Sequence, residues 1–302
     1  MATDSSSTTT TKKQEEEEEE EGRWSHEKRS RCCFQEWMQL QREDLTHLLQ
    51  SLHTHHNHNH NHNHNHHHHQ QQTNNDLIRN CISHFEDYIS NRRRLAQEDA
   101  SPFFAPAWCT SLENSLLWIA GCRPSIFIRL VYALTGFEAD ARLGEWLEGV
   151  RTSNNNVGIG ELSPSQMARV NGLHMRTIKA EEKLTSEMAS SQEELADQPI
   201  AAIVAKEMEG VGVGVGVGVG VGEESEEATM ALKEHEKVMR EIMEKADELR
   251  LNTLKELVLE ILNPIQALHF LVASKKLHLS LHRWGKRRDE KQGRIISLTT
   301  KY

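Results

Sequence analysis

Apolar residues recur every three or four positions through several long segments of this chain, and this spacing restricts the fold more than any other feature. Residues 226–262 show it most clearly, with a seam spaced by about 3.5 residues, as in helical bundles and short coiled coils. The seam consists of Leu232, Met239, Ile242, Ala246, Leu249 and Thr253. No stretch shows the alternation with β-branched residues that is typical of strands. The sequence therefore predicts an all-α fold, a multi-helix bundle with long antiparallel helices and flexible low-complexity inserts.

Two amphipathic helices are expected in the N-terminal half of this bundle. The first helix covers residues 32–52 and has a single apolar face. That face is formed by Phe34, Trp37, Met38, Gln41, Leu45, Leu48 and Leu49. The second helix begins near Asp76, whose side chain suits an N-cap. Its apolar stripe is formed by Ile78, Cys81, Ile82, Phe85 and Ile89.

Glycine and proline predict where later helices begin and end. Residues 109–122 are strongly apolar and are expected to form a short helix that ends at Gly121. The pair Asn263 and Pro264 is expected to break the long helix that carries the seam, because proline cannot continue a helix from the preceding turn. The last helix is then predicted to run from Pro264 to about Gly285.

Segments of biased composition separate the predicted helices. Residues 1–30 are rich in Ser and Thr and then acidic, and we expect them to be disordered. Residues 53–75 are rich in His, Asn and Gln, and residues 208–226 in Val, Gly and Glu. Both are expected to be flexible inserts, since loop length costs stability only logarithmically. The sequence thus predicts a helical domain over residues 31–290 with two inserts, followed by a flexible tail at 291–302.

The tract from His53 to His69 permits two interpretations. It could bind metal ions, or it could be a repeat expansion in a loop between two helices. Neutral imidazole binds Ni²⁺ and Zn²⁺ in any accessible cluster, so affinity alone would not show a built site. We therefore predict only nonspecific metal binding by this tract and assign no specific metal site.

Composition excludes several classes of protein. No apolar run approaches the length that crosses a bilayer, and the N-terminal residues lack the apolar core of a secretion signal. The five cysteines are odd in number and form no C-x-x-C pair, which indicates reduced thiols in an intracellular protein. No phosphate-binding loop, Ser/His/Asp order or apolar carboxylate pair suggests catalysis. We therefore expect a protein that is neither a membrane protein nor an enzyme.

The last predicted helix carries His278 and His282 on one face, because residues four apart lie one above the other. His269 falls in the polar wedge of the same helix, whereas Lys275 lies at the edge of the histidine face. The pair could be buried and satisfied by neighbours, could hold a metal ion, or could bind haem. One straight helix cannot place both rings on opposite sides of one macrocycle. If haem binds, only one histidine is therefore the axial ligand, and the other has a supporting role.

Long blocks of the sequence resemble the plant Delay of Germination family, whose domain is shared with the C-terminal half of TGA-type bZIP transcription factors. These blocks cover most of residues 32–290 and include "FQEWMQLQREDLTHLL", "ISHFEDYISNRRRLAQED" and "ALHFLVASKKLHLSLHRWGKRRD". The resemblance implies an all-α regulator without a recognised catalytic centre, acting in the nucleus or cytoplasm in a role like the control of seed dormancy. It implies protein partners such as type 2C protein phosphatases or bZIP factors. It also implies haem binding by the matching pair, His278 and His282.

The alternative function is that of a sequence-specific DNA-binding regulator related to the TGA factors. Those factors read DNA with a basic region and a zipper, whereas residues 12–22 of this chain are "KKQEEEEEEEG". Such acidity would repel phosphates, so the residues do not support direct DNA binding. The seam at residues 232–253 permits self-association, and a homodimer is therefore expected to be accessible.

Overall fold

The computed structural model describes residues 7–58, 64–148, 159–197, 201–202 and 226–294. The long helices are α1 (Ser7–His58), α2 (His64–Ala96), α5 (Ser125–Glu148), α6 (Pro164–Asp197), α7 (Glu226–Lys255) and α8 (Pro264–Lys291). Two single-turn helices, α3 (Ser101–Phe104) and α4 (Ser111–Asn114), lie between α2 and α5, and a π-helical segment, Glu256–Ile261, follows α7. No strand occurs in these ranges, where the only β element is an isolated bridge between Trp118 and Gly121. The predicted all-α bundle is confirmed.

Helix α8 lies at the centre of the bundle and contacts α1, α2, α4 and α5. Its N-terminal half is buried almost all round, with Leu268 and Phe270 fully enclosed. The main core around it draws on α1, α2, α5, α6 and the π-helical segment, with buried members including Leu48, Ile82, Ile128, Val170 and Leu257. A second core packs the segment after α2 against α1 and α7, through Phe34, Met38, Phe103, Trp108 and Met243.

Helix α1 begins before the predicted domain boundary at residue 31. His26 and Ser30 are buried, and His26 Nε2 lies 2.9 Å from the carbonyl oxygen of Leu95 at the end of α2. Arg29 forms an ion pair with Glu98. These contacts order residues 26–30, which the sequence analysis assigned to a disordered segment. The acidic composition did not reveal them, because the partners lie about 69 positions away in the sequence.

The predicted helix over residues 109–122 is wrong beyond its first turn. Only Ser111–Asn114 is helical, and the chain then turns so that Ile119 and Ala120 adopt positive φ values of 43° and 58°. The carbonyl groups that a helix would use internally instead accept hydrogen bonds from Arg250 of α7. Tertiary hydrogen bonds therefore replace helical ones in this loop.

The start of α8 is as predicted, but its end is not. The Asn263 side chain accepts a hydrogen bond from the Gln266 backbone amide, and the Gln266 side chain accepts one from the Asn263 backbone amide, which forms a capping box at the break. The helix continues through Gly285 to Lys291. Gly285 is not a terminator here, since it faces Thr110 at a distance that leaves no room for a Cβ atom.

Most of the predicted apolar seam of α7 packs against other helices of the same chain. Ile242, Ala246 and Thr253 are buried in this chain, whereas Leu232 is 40% exposed. Only the N-terminal part of the seam is therefore accessible to a second molecule.

Helix α2 begins at His64 and not near the predicted N-cap Asp76. Asn74 is buried in it and accepts a 2.7 Å hydrogen bond from Ser51, so this end of the predicted flexible insert is part of the helix.

Several predictions fall outside the described residues. They include those for the side chains of residues 55–70, which hold most of the histidine tract, for residues 203–225 with the Val-Gly tract, and for residues 295–302 of the tail. Among the helices that are described, none combines the length and the apolar composition needed to span a bilayer.

Candidate functional site: the cavity beside the histidine face of α8

The histidine face of α8 points inward, as the sequence predicts. His282 is buried, with 7% of its surface exposed, and His278 is partly buried one turn earlier. His269 is also partly buried. Lys275, which the sequence placed at an open edge of this face, is instead buried with 5% exposure. Its ammonium group lies 2.8 Å from the Asp44 carboxylate in α1, and this pairing allows the charge to be buried.

Glu113 in α4 holds the His282 ring. Both carboxylate oxygens lie close to His282 Nδ1, at 2.9 and 3.0 Å. Glu113 is itself held by a capping box, since it accepts a 2.8 Å hydrogen bond from the Thr110 amide. Burial raises the pKa of Glu113, but hydrogen bonds from His282 and Thr110 outweigh burial and hold this pKa below its ordinary value. An ionised Glu113 therefore favours the His282 tautomer with its proton on Nδ1.

His278 is the histidine that lines a cavity. Burial is the main reason that its pKa falls from 6.5 to about 4. The Glu113 carboxylate raises this pKa and opposes burial, whereas the neighbouring His282 and Lys275 lower it. The ring is therefore neutral near physiological pH and keeps a lone pair on one nitrogen. A neutral imidazole is the form of histidine that binds metal.

The cavity beside His278 has a volume of about 300 Å³ and lies between α1, α2, α5, α7 and α8. Its walls are largely aromatic and aliphatic. The aromatic side chains that line it are Phe34, Trp37, Phe85, Tyr88, Phe103, Trp108 and Phe127. Three further lining residues, Leu116, Ile126 and Leu277, are partly exposed, so apolar side chains also form the rim that faces solvent. The volume is at the lower end of the range of about 300–1,000 Å³ found for small-molecule sites.

A buried arginine forms one end of this cavity. Arg250 donates hydrogen bonds to the carbonyl oxygens of Trp118, Ile119 and Cys122 at 2.6, 2.7 and 2.7 Å. It also donates a 2.7 Å bond to Asp247 Oδ1. The several N–H donors of the guanidinium thus hold in place the loop that contains Trp118, Ile119 and Cys122 at the cavity wall.

The cysteines of the cavity are not reactive thiolates. All five cysteines of the chain are free thiols. Burial raises the pKa of Cys81 to about 12 and also raises that of Cys109, and both side chains line the cavity. Because the thiolate is the nucleophile and the metal ligand, these protonated thiols are poor candidates for either role.

The donor set of the cavity includes one neutral imidazole, that of His278. Within the described part of the chain, no group of three or more His, Cys, Asp or Glu side chains is placed to hold a metal. One neutral imidazole is among the side chains that can ligate a haem iron, since the macrocycle supplies the other nitrogen ligands. His278 would be the ligand, and Glu113 would orient the adjacent His282.

Sequence reasoning identified the two histidines but missed Glu113, Asp247 and Arg250. Thr110 and Glu113 match the spacing of a capping box, a local signal that could have marked Glu113 as ordered. The contacts of Arg250 with the loop show no such signal, because the carbonyl groups that accept its hydrogen bonds lie 128 to 132 positions earlier in the sequence.

Comparisons with known proteins relate most of this chain to one family. The family model DOG1, described as "Seed dormancy control", matches residues 44–133. The chain is similar to Protein DOG1-like 1 of Arabidopsis thaliana, with 37% identity over 88% of this chain and 92% of that protein. It is also similar to Protein DOG1-like 3 of Arabidopsis thaliana, with 35% identity over 88% of this chain and 87% of that protein. Similarity to Protein RESPONSE TO ABA AND SALT 1, also of Arabidopsis thaliana, is 29% identity over 68% of this chain and 74% of that protein. The chain described above therefore belongs to the DOG1 family, the family of seed dormancy control proteins.

Proposed function

We propose that this protein is a non-enzymatic regulator of plant signalling or transcription, acting through protein partners in a role such as the control of dormancy or germination. Membership of the family described as "Seed dormancy control" supports this role. The similarity to a protein named for its response to abscisic acid and salt supports it further. We also propose that the regulator binds haem and that it acts in the nucleus or the cytoplasm.

One observation carries the haem proposal: His278 is a neutral imidazole on the wall of an apolar cavity, next to a histidine whose tautomer is set by a carboxylate. Haem, when bound, would supply an iron centre that responds to redox state and to small gases. His278 provides the ligand nitrogen, and the aromatic walls exclude water from it. Glu113 and His282 keep the neighbouring turn of α8 in place.

Hemin titration tests this proposal. The wild-type protein should develop a Soret band with one equivalent of hemin, and His278→Ala should abolish it. His269→Ala is the matched control, because it removes a histidine from the same helix outside the cavity lining. A second control deletes residues 53–72, so that hemin bound by the histidine tract does not contribute. An unchanged spectrum in His278→Ala within that deletion would overturn the site.

Glu113→Gln distinguishes a positioning residue from a purely structural one. Removing the charge should keep the fold and the Soret band but weaken hemin binding by up to about 10-fold. This is less than the loss typical for the partner of a ligand histidine, because Glu113 bonds to His282 and not to His278. A shift in the Soret maximum would accompany the loss, because the orientation of the histidine face would change. Hemin affinity equal to the wild-type value would show that Glu113 only caps α4.

The partners are proposed to be proteins, with type 2C phosphatases and bZIP factors as candidates. Pull-down from seed extract with the intact chain, followed by identification of the captured proteins, tests this directly. Binding of the purified chain alone to a TGA-type DNA element, with affinity that falls steeply as salt rises, would instead favour the DNA-binding alternative. We also propose that a homodimer is accessible, which sedimentation over a range of concentrations would detect.

A further inference from the structure

Gln41 is a buried polar residue of α1. It follows Phe34, Trp37 and Met38 on the apolar face of that helix and is only 4% exposed. Its side chain lines the cavity, and its Nε2 group has no hydrogen-bond partner. Leaving a buried amide donor unpaired is unfavourable, and native proteins nearly always pair such groups. The unpaired Gln41 amide therefore points to an acceptor supplied by a ligand.

The walls beside Gln41 favour a flat apolar ligand. Trp37 stacks on Tyr88 with ring centroids 4.8 Å apart and an interplanar angle of 10°. Phe103 and Trp108 meet edge to face at 5.6 Å. Rings held in this way form a preformed apolar wall, against which a flat apolar molecule packs with little rearrangement.

The charges around the cavity favour a neutral ligand. Lys275 is paired with Asp44, and Asp247 is paired with both Arg250 and Arg92, at 2.7 and 3.4 Å. Glu113, the remaining charged side chain of the lining, is bonded to His282. Because each charged group already has a partner inside the protein, a ligand charge buried within the cavity would lose its hydration without gaining a counter-charge.

The rim of the cavity gives such a molecule a path to the interior. Leu116, Ile126 and Leu277 line the cavity while remaining 50%, 38% and 37% exposed. Large apolar side chains exposed together around an opening are typical of ligand-binding sites.

We propose that this cavity binds a small, neutral, flat apolar molecule whose hydrogen-bond-accepting oxygen pairs with Gln41 Nε2. This inference goes beyond the haem proposal and does not depend on it, because it rests on Gln41 and the aromatic walls, not on His278. The ligand class is an aromatic or polycyclic compound that carries a carbonyl or ether oxygen and no charge.

Two fluorescent probes of nearly the same shape test the pairing. The first is 6-propionyl-2-(dimethylamino)naphthalene, a neutral planar ketone, and the second is 2-(dimethylamino)naphthalene, which lacks the carbonyl group. Both should bind the wild-type protein with a blue shift in emission. Gln41→Leu should weaken the ketone about three- to tenfold, the worth of one neutral hydrogen bond, and leave the second probe unweakened.

Gln39→Leu is the matched control, since Gln39 lies on the exposed side of the same helix, where it bonds to Glu43. This variant should bind both probes as the wild type does. His278→Ala should also keep the ketone while it loses hemin, which separates this inference from the haem proposal. Without any ligand, Gln41→Leu should raise the free energy of unfolding, because it removes an unpaired buried amide.

Three results would overturn the inference. The first is equal weakening of both probes by Gln41→Leu, and the second is a lack of binding of either probe to the wild type. The third is a lower free energy of unfolding in ligand-free Gln41→Leu, which would show that the amide is already satisfied within the protein.

Discussion

Gly285 in α8 lies directly against Thr110, the N-cap of α4. A Cβ atom placed on Gly285 would be 2.1 Å from Thr110 Oγ1 and 2.7 Å from Thr110 Cβ. Because Thr110 also caps the helix that carries Glu113, this contact sets how closely Glu113 approaches His282. A glycine in the middle of a helix thus allows two elements to touch beside the histidine face.

Gly285→Ala is expected to destabilise the protein by about 1–3 kcal/mol, because neither α8 nor the capped turn can move without losing buried contacts. Chemical denaturation measures the effect. Gly136→Ala in α5 is the control, since nothing lies within 4 Å of its added methyl group. That change should be neutral or stabilising by up to about 1 kcal/mol, as helix propensity predicts. Equal effects of the two changes would contradict the proposed contact.

Arg250→Met is expected to lower the free energy of unfolding by about 3–5 kcal/mol, because it leaves Asp247 and three loop carbonyl groups without a principal donor. Arg176→Met, which removes an exposed ion pair with Glu256, should cost no more than about 1 kcal/mol. Urea titration of both variants checks the difference. A loss in Arg250→Met as small as that in the control would show that the loop holds its shape without the guanidinium.

Lys275→Met should be more destabilising than the double variant Lys275→Met, Asp44→Leu. The single change leaves the Asp44 carboxylate buried without the lysine charge, at a cost of about 3–5 kcal/mol. The double change removes both charges and replaces them with apolar volume. A double-mutant cycle followed by thermal and urea unfolding measures the coupling. Additive effects of the two single changes would refute a buried pair.

His278 makes stability depend on pH in a known direction. In the folded protein its pKa is about 4, against an ordinary value of 6.5, so the unfolded chain takes up the proton first as pH falls. The stability gained from the neutral ring is complete above pH 6.5 and is lost as pH falls through the folded pKa. Between pH 6.5 and about pH 5, this loss should amount to roughly 1.5 kcal/mol in the wild type.

His278→Gln should remove the part of the pH dependence of unfolding free energy that His278 causes. The same change at the exposed His47 should leave that pH dependence in place. Urea denaturation at half-unit pH steps provides the comparison. The range ends near pH 5 so that carboxylates such as Glu113, whose pKa lies below its ordinary value, remain ionised. Parallel pH profiles for the wild type and His278→Gln would contradict the assignment of the slope to this ring.

Much of the fold follows from local sequence. The helical spacing in residues 226–262 and the break at Asn263 and Pro264 were predictable, because periodicity and capping depend on residues within a few positions. The inward direction of His282 followed from the apolar character of its helix. The early start of α1 at Ser7 and the loop after Asn114 were not predictable in this way.

What the sequence by itself determined is the helical architecture, the start of α8 at Asn263 and Pro264, and the face on which His278 and His282 lie. Those features arise from hydrogen bonds and side-chain directions within one or two helical turns. Only the tertiary structure decided that Glu113 holds His282, that Lys275 is buried with Asp44, and that Arg250 shapes the loop around the cavity. These pairs are separated by 128 to 231 positions, and burying a charge is favourable only once packing brings its distant partner within hydrogen-bonding distance.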